Sequence, residues 1–309
     1  MDFEPYRGEL IAYCYRMLGS VHEAEDLVQE TMLRAWKARD RYDQSRASVR
    51  TWLYRIATNV CLTALAGRAR RPLPSGLGAL SDDPAAPLTP DFGIGWLEPF
   101  PDARFDLGLR ADLRLALVAA MQLLPPRQRA VLVLREVLEF SAAEVAGQLG
   151  TTVAGVNSAL QRARGALAAA GDPGDLTDPR DPQVSAVIEE YMRAFEAADV
   201  SALVSLLAQD AVLEMPPVPL WYRGRSDYGQ FMNRVFEMRG SGWSVRQLTA
   251  SGQPALAAYA PDPGAAGAGR RVHSLQVFTV AGRAVTRNVV FADPAVVGAF
   301  GLPERIAAG

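Results

Sequence analysis

The sequence predicts a multidomain chain in which two all-α units precede an α+β unit. Three observations carry this. Apolar residues recur at helical three- and four-residue spacing through residues 3–71 and again through residues 110–170. Between them, residues 72–106 hold seven prolines and four glycines, a composition that interrupts regular structure. From residue 183 two amphipathic helical patterns give way to short strand-like runs, the order of an α+β unit. The 309 residues suffice for two or three domains, and 49% hydrophobic with 21% charged residues permits ordinary cores. The expected boundaries are 1–71, a linker 72–106, 107–170, a second linker 171–182, and 183–309. No internal repeat is visible.

The first unit reads as three helices. One runs through "YRGELIAYCYRMLG". The second lies in "AEDLVQETMLRAWKARDRYD", residues 24–43. At about 100° per residue, Ala24, Leu27, Val28, Thr31 and Ala35 share one face, with Val21 and Met32 at its edge. The opposite face carries Glu23, Asp26, Gln29, Glu30, Arg34 and Lys37, with Leu33 near its middle. A single exposed Leu is ordinary. One ringed by polar residues also has the form of a docking anchor inside a polar rim. The third helix is expected over "VRTWLYRIATNVCLTALAGRARR", residues 49–71. Within the 72–106 linker, "GWLEPFPD" concentrates Trp96, Leu97 and Phe100, which disordered linkers rarely hold, so this part is expected to dock.

In the second unit "ADLRLALVAAMQLL" stops at Pro125–Pro126 and "RQRAVLVLREVLE" follows. Ser141 and Glu144 form an S-x-x-E capping box for "AAEVAGQL", Gly150 stops that helix, and Thr152 can cap "VAGVNSALQRARGAL". Two helices joined by a short turn make a helix-turn-helix. Val156, Leu160, Ala163 and Leu167 form the expected buried stripe of its second helix. Ala154, Asn157, Ser158 and Gln161 face outward, with Arg162 and Arg164 behind them. Asn and Gln suit base edges, and Arg suits phosphate or guanine.

The last unit begins with a helix that places Val184, Val187, Ile188, Tyr191 and Phe195 on one face, followed by a helix capped by Asp199. The strands "AVLEMP", "WSVRQLTA", "ALAAYA", "VHSLQVFTV" and "AVTRNVVFA" should form an antiparallel run, with Asp210 as a turn residue before the first.

A formal net charge of -2 by itself argues against nucleic acid, but the distribution does not. Residues 2–30 carry seven acids and two basic side chains; residues 46–71 carry six arginines and no acid. Residues 72–106 carry six acids and one Arg, and residues 110–170 seven basic groups and four acids. Two basic segments separated by an acidic one suit phosphate contact, or are simply solvated charge runs. Cys14 and Cys61 read as buried residues in no metal-ligand spacing, and no metal or cofactor motif is present. The polar "MDFEPYRGEL" lacks a signal-peptide core, and no run of about 18 apolar residues exists, so the expectation is a cytoplasmic protein without membrane contact.

"HEAEDLVQETMLRAWK" followed by "RTWLYRIATNVCLTAL" resembles region 2 of the sigma-70 family, of the extracytoplasmic-function class. "LLPPRQRAVLVLREVLEFSAAEVAGQLGTTVAGVNSALQRAR" resembles region 4 of that class. The last ~125 residues resemble the SnoaL-like, nuclear-transport-factor-like α+β cone, a fold that hosts many functions. The resemblance implies a transcription-initiation subunit that binds core RNA polymerase and promoter DNA. Asp26, Gln29, Glu30, Leu33 and Arg34 would then dock on the polymerase. Arg41, Tyr42, Arg46, Arg50, Arg55, Asn59, Arg68, Arg70 and Arg71 would handle the melted −10 element, as single-stranded DNA needs a basic track. Thr152, Ala154, Asn157, Ser158, Gln161, Arg162 and Arg164 would read the −35 element. Trp52 is assigned to packing. Members often have Phe, an acid and a basic residue where this chain has Met32, Thr63 and Ala66. They often have Thr, a basic residue and Arg where it has Gly155, Asn157 and Ala159, so promoter sequence does not carry over. The linker acids Asp82, Asp83, Asp91 and Glu98 are either a phosphate mimic or a solvated spacer.

Some relatives of the C-terminal fold use Asp and His in acid–base chemistry. Here His273 is the one histidine of that unit, and a lone His reads first as structural. Tyr191, Phe195, Met215, Trp221, Tyr222, Phe231, His273 and Phe278 are candidates to line a pocket or to form core. Three readings stay open: a sigma factor regulated by its C-terminal unit, a sigma factor whose cavity senses a small-molecule ligand, and an enzyme with a vestigial DNA-binding part. Retention of both the docking face and the helix-turn-helix disfavours the third, and no catalytic residue is assigned.

Overall fold

The computed structural model describes residues 2–105, 113–169, 180–262 and 269–307. The start of the expected region 4 segment (107–112) and most of the second linker (171–179) lie outside the described residues. The chain divides into two compact units.

The first unit takes in 2–71, 97–100, 105 and 113–169. Helices α1 (Arg7–Leu18), α2 (Val21–Ala38) and α3 (Val49–Leu65) bury the apolar stripes read from sequence. Val21, Ala24, Val28, Thr31 and Ala35 are buried on α2; Leu27 and Met32 sit half-buried at the stripe's margin. Ser20 Oγ accepts from Glu23 N–H at 3.3 Å and Ser48 Oγ from Thr51 N–H at 3.1 Å, so α2 and α3 each start on a side-chain cap. Gly19 ends α1 at φ 73, the left-handed conformation that favours glycine, with Leu97 Cδ1 2.9 Å from where a Cβ would stand. Helix α3 is shorter than expected. Ala66 turns extended and Gly67 adopts φ 75, so Arg68, Arg70 and Arg71 lie beyond the helix end instead of closing it.

Region 4 comprises α4 (Leu115–Gln122), α5 (Pro126–Leu132), α6 (Ala142–Leu149) and α7 (Val153–Ala169). Proline at the first position opens α5, where its missing N–H costs nothing. The expected single helix over 127–139 changes to a π turn at Val133–Val137, closed by Leu138 N–H on Val133 O at 3.0 Å. The capping box at Ser141 and Glu144, the left-handed Gly150 (φ 61) and the Thr152 cap (3.0 Å to Gly155 N–H) form as read.

The second unit takes in 72–96, 101–104, 180–262 and 269–307. Helices α8 (Pro182–Glu196) and α9 (Val200–Ser205) lead into a seven-stranded sheet of order β2-β1-β6-β5-β4-β3, with β7 paired to β5. The strands are β1 (Leu207–Met215), β2 (Val218–Arg223), β3 (Ser244–Ala250), β4 (Gln253–Pro261), β5 (Arg270–Ala281), β6 (Ala284–Phe291) and β7 (Arg305–Ile306). Helix α10 (Arg225–Arg239) follows β2, and α11 (Pro294–Gly298) follows β6. The expected antiparallel run is corrected in one place: β1 and β6 are parallel, because the intervening elements return the chain to the same edge. Asp210 is an exposed residue within β1 and not a turn residue before it. Strand β2 and helix α10 went unread, although Tyr228, Phe231, Met232 and Phe236 carry helical spacing and are buried.

The Pro/Gly-rich segment does not stand apart as a linker. Residues 72–96 pack with the second unit. Besides closing turns of its own, such as Ala86 N–H on Asp83 O at 3.0 Å, the segment offers carbonyls to side chains of the α+β unit. Trp221 Nε1 donates to Gly78 O (3.2 Å), Tyr222 Oη to Asp83 O (3.1 Å), and Arg234 Nη1 to Pro84 O (3.0 Å) and Ala86 O (2.7 Å). Ser75 N–H donates to the buried Glu214 carboxylate at 2.9 Å, which also pairs with Arg287 at 2.5 Å. Leu88 packs against the apolar core.

Candidate functional site

On α2 the core stripe turns Asp26, Gln29, Leu33 and Arg34 to solvent, with Glu30 partly exposed. Leu33 is 46% exposed. Glu30 accepts from Arg34 Nε at 2.6 Å, one turn along, an exposed pair that contributes a few tenths of a kcal/mol to the helix (~0.3–0.5). Sequence reading missed Trp36, which is 53% exposed three residues beyond Leu33, with the Arg39 guanidinium 4.0 Å from its ring centre. Its i+3 spacing from Leu33 was the available signal.

The −10 candidates divide. Arg41, Arg46, Arg55, Asn59, Arg68 and Arg70 are exposed, with Arg55 and Asn59 four residues apart on one face of α3. Tyr42 and Phe3 lie 5.1 and 5.9 Å from Trp52 in tilted pairs, so Trp52 packs against two rings. Arg68 and Arg71 fold back to the Glu23 carboxylate, at 2.8 and 2.9 Å. Arg50 reaches Glu9 at 3.1 Å and lies 4.7 Å from the Phe140 ring centre, a neighbour contributed by region 4.

On α7, Val156, Leu160 and Ala163 are buried and Leu167 half-buried, which turns Ala154, Asn157, Ser158, Gln161 and Arg162 outward as expected. Thr152 is spent as the helix cap. Arg164 is held by Glu136 at 2.7 Å.

Regions 2 and 4 pack on one another within the first unit. Arg129 of α5 is 3% exposed. Its Nε donates to Met121 O at 2.8 Å; one terminal nitrogen donates to Gln122 Oε1 at 2.8 Å and to Met17 O of α1; the other donates to Gln122 O at 3.1 Å and Leu124 O at 3.2 Å. All five N–H groups of the fork are used. Burial pulls the guanidinium down to about 10, so it stays charged at neutral pH.

The "GWLEPFPD" segment is shared between units. Trp96 belongs to the second unit, where its Nε1 donates to Asp91 O at 2.9 Å. Leu97 and Phe100 are fully buried in the first, with Phe100 5.0 Å from the Tyr15 ring. The expected docking is thus divided: Trp96 packs in the second unit, while Leu97 and Phe100 pack in the first, with Leu97 Cδ1 beside Gly19. Glu98 is no bare spacer charge. Its carboxylate accepts from Val21 N–H at 2.9 Å, the N-terminus of α2, where a negative charge is favoured.

In the α+β unit Tyr191, Phe195, Met215, Trp221, Tyr222, Phe231 and Phe278 are buried. Tyr191 meets Phe278 at 4.8 Å and Tyr222 meets Phe231 at 5.5 Å. Four polar groups share this interior: Asn288 Nδ2 donates to Tyr228 Oη at 2.7 Å, Gln276 Oε1 at 2.9 Å and Tyr191 Oη at 3.3 Å. An open groove of about 390 Å³ between α8 and α9 is lined by other residues, among them Glu190, Arg193 and Asp199. His273 packs edge-on against Trp243 at 5.2 Å, and burial, with the nearby Arg239 charge, lowers its pKa to about 4. It is neutral at physiological pH and its hydrogen-bond neighbour is Ser274. Among the described residues no cluster suits a metal ion, and no helix is long and apolar enough to cross a membrane.

Known proteins carry the same parts. Residues 3–71 match Sigma-70 region 2, residues 114–167 match Sigma-70, region 4, and residues 188–288 match the SnoaL-like domain. The ECF RNA polymerase sigma factor SigG of Mycobacterium tuberculosis is 46% identical over 98% of this chain and 83% of its own length. SigJ of the same organism is 30% identical over 79% of this chain and 70% of its own length. The crystal structure of the M. tuberculosis extracytoplasmic-function sigma factor SigJ aligns with a TM-score of 0.67 at 26% identity, covering 97% of this chain and 99% of that one. A helical region 2, a region 4 built on a helix-turn-helix and the identity to SigG together place the family: the chain belongs to the extracytoplasmic-function (ECF) RNA polymerase sigma factors, which direct transcription initiation.

Proposed function

We propose that this sigma factor docks on core RNA polymerase through the exposed α2 face of Asp26, Gln29, Glu30, Leu33 and Arg34, extended by Trp36. It acts in the cytoplasm, and its α+β unit modulates its activity. The carrying observation is Leu33, 46% exposed within a rim of polar side chains, the form of an interface anchor. Arg41, Tyr42, Arg46, Arg50, Arg55 and Asn59 offer a basic and aromatic track for a separated strand. Asn157 and Gln161 on α7 reach for base edges of the −35 element, with Ala154 and Ser158 beside them and Arg162 on phosphate. Run-off transcription with purified core polymerase tests the reading, comparing the full chain with Leu33→Asp. Transcription at the wild-type level by the variant would refute the docking face.

A second reading, in which the α+β unit senses or converts a small molecule, is favoured by one observation. Asn288 is 1% exposed, and its Oδ1 has no hydrogen-bond partner while its amide serves two tyrosines and a glutamine. A ligand bearing an N–H or O–H donor would satisfy that oxygen. Thermal-shift screening of the full chain against hydroxyl- and amide-bearing metabolites tests it: a stabilising hit that disappears in Asn288→Leu supports the reading, and hits indifferent to that change oppose it.

A further inference from the structure

We propose that Val153 is a specificity residue of region 4, its methyl groups contacting the C5-methyl of a thymine in the −35 element. The inference rests on the reading of α7 as the −35 reader and adds an apolar contact to the polar ones. Val153 is 45% exposed. Among the described residues of α6 and α7 it is the one exposed large apolar side chain. The same two helices bury Val145, Leu149, Val156 and Leu160. Val153 instead opens α7 on its outer side.

Its place along the helix decides what it can meet. Val153, Asn157 and Gln161 recur every four residues and are all exposed. Residues so spaced form one ridge, drifting by about 40° per step. At 1.5 Å per residue the ridge is about 12 Å long, which matches three to four base-pair steps of about 3.4 Å. Val153 therefore stands at most about two base pairs from the base that Asn157 reads. In helix-turn-helix proteins the N-terminal residues of the second helix meet base edges, and Val153 is the N-terminal end of this ridge.

The chemistry available there is narrow. The major groove presents donors and acceptors at every base pair and one apolar group, the thymine methyl. A valine side chain can neither donate nor accept. Set against a polar edge, it would displace water from groups it cannot bond. Against thymine it takes two apolar surfaces out of water. Cytosine at the same position would offer no methyl and leave its amino donor facing a hydrocarbon.

The turn holds this side chain ready. Gly150 closes α6 at φ 61, and Thr151 N–H donates to Ala146 O at 3.0 Å. Thr152 Oγ1 accepts from Gly155 N–H at 3.0 Å, and Val156 N–H donates to Thr152 O at 3.0 Å. The backbone on both sides of Val153 is thus fixed by hydrogen bonds. A β-branched side chain is stiff about χ1, so little rotamer freedom remains to be lost on contact.

The test uses holoenzyme made from the full chain and purified core polymerase. Duplex promoters are selected from a library randomised over the −35 element. Each thymine of the selected element, on either strand, is then replaced singly by deoxyuridine, which lacks only the C5-methyl. Wild-type binding should fall about threefold to fivefold at one thymine, the effect of withdrawing one methyl from an apolar contact. That thymine should lie within about two base pairs of the position whose preference Asn157→Ala relaxes. Val153→Ala holoenzyme should bind the thymine and uracil duplexes alike there, and Asn157→Ala holoenzyme should keep the methyl effect. Losses below about 1.5-fold at every thymine overturn the proposal. So does a selected element without a fixed thymine, or a methyl effect that Val153→Ala retains. In each of these cases a preference shifted by Asn157→Ala leaves α7 as the −35 reader. Preference untouched by Asn157→Ala, Gln161→Ala and Val153→Ala alike overturns that reading, and the proposal with it.

Discussion

Replacing Arg129 should be among the most damaging single changes in the helical unit. Arg129→Leu removes five donated hydrogen bonds at once. Met121 O keeps a second donor, Leu124 N–H at 3.1 Å, so it is not orphaned. Met17 O, Gln122 O, Gln122 Oε1 and Leu124 O lose the partner supplied by Arg129. A buried acceptor left without a partner costs about 1–3 kcal/mol, which for four groups gives roughly 4–12. Removing a buried charge returns several kcal/mol of desolvation, and water can reach acceptors near the surface. The balance is a loss of about 3–5 kcal/mol. Arg129→Lys keeps the charge with three donors instead of five and cannot reproduce the fork, so about 1.5–3 kcal/mol is expected.

Urea unfolding of both variants, followed by far-ultraviolet circular dichroism, measures this. The slope with denaturant must be compared as well as the midpoint, because a two-unit chain need not unfold in one step. A loss below about 1 kcal/mol for Arg129→Leu would refute the reasoning, by showing that water or rearranged backbone replaces the guanidinium at little cost. Lysine behaving worse than leucine would also refute it, since charge with partial bonding would then be harder to bury than no charge.

Leu33→Asp should abolish binding to core polymerase in a pull-down while leaving the melting temperature within a degree or two, because an unpaired charge at an interface centre costs about 2–5 kcal/mol and this side chain is already exposed in the free protein. Asn157→Ala and Gln161→Ala should each relax −35 preference by about 1–3 kcal/mol per base-reading contact; Arg162→Ala should weaken all promoters alike, and identical promoter profiles for the three would misplace the reading face. His273 has a folded pKa near 4 against 6.5 for the free side chain, so the unfolded state binds a proton that the folded state declines. Its contribution is complete above about pH 6.5, is lost as pH falls toward 4, and amounts to about 3 kcal/mol; His273→Phe should flatten that acid limb, and an unchanged pH profile of unfolding would assign it elsewhere.

What the sequence disclosed follows from the range of the interactions involved. Caps at Ser141, Thr152 and Asp199, the glycine stop at Gly150 and the stripes of α2, α7 and α8 are local, and local patterns fix them. The exposed faces of α2 and α7 followed, since they are the complements of those stripes. Helix α10 had a legible period but a polar average that concealed it. The parallel pairing of β1 with β6 depends on where a distant strand returns, and no window along the chain contains that information.

The segment 72–100 shows why composition misled. Prolines and glycines prevent helix and sheet, and that inference is correct for residues 72–96, which are irregular apart from one 3₁₀ turn and a few turns and bends. It does not follow that such a segment is free. A chain held only by isolated turn bonds leaves carbonyl lone pairs available, and Trp221, Tyr222 and Arg234 donate to those of Gly78, Asp83, Pro84 and Ala86. Those three residues are a strand pair and a helix position more than 130 residues away, so their donors could be recognised as waiting for a partner only once the sheet was in place. Three neighbours of the Arg50 guanidinium, Glu9, Leu138 O and the Phe140 ring, were invisible for the same reason. Glu9 lies 41 residues before it, and Leu138 and Phe140 about 90 residues after it; what brings them together is the packing of region 4 on region 2, in which Arg129 joins Met17 of α1 to the carbonyls of Met121, Gln122 and Leu124. The sequence offers candidates for contact with DNA and polymerase, and the fold adds which of them already hold carboxylate partners: Arg50 on Glu9, Arg68 and Arg71 on Glu23, and Arg164 on Glu136.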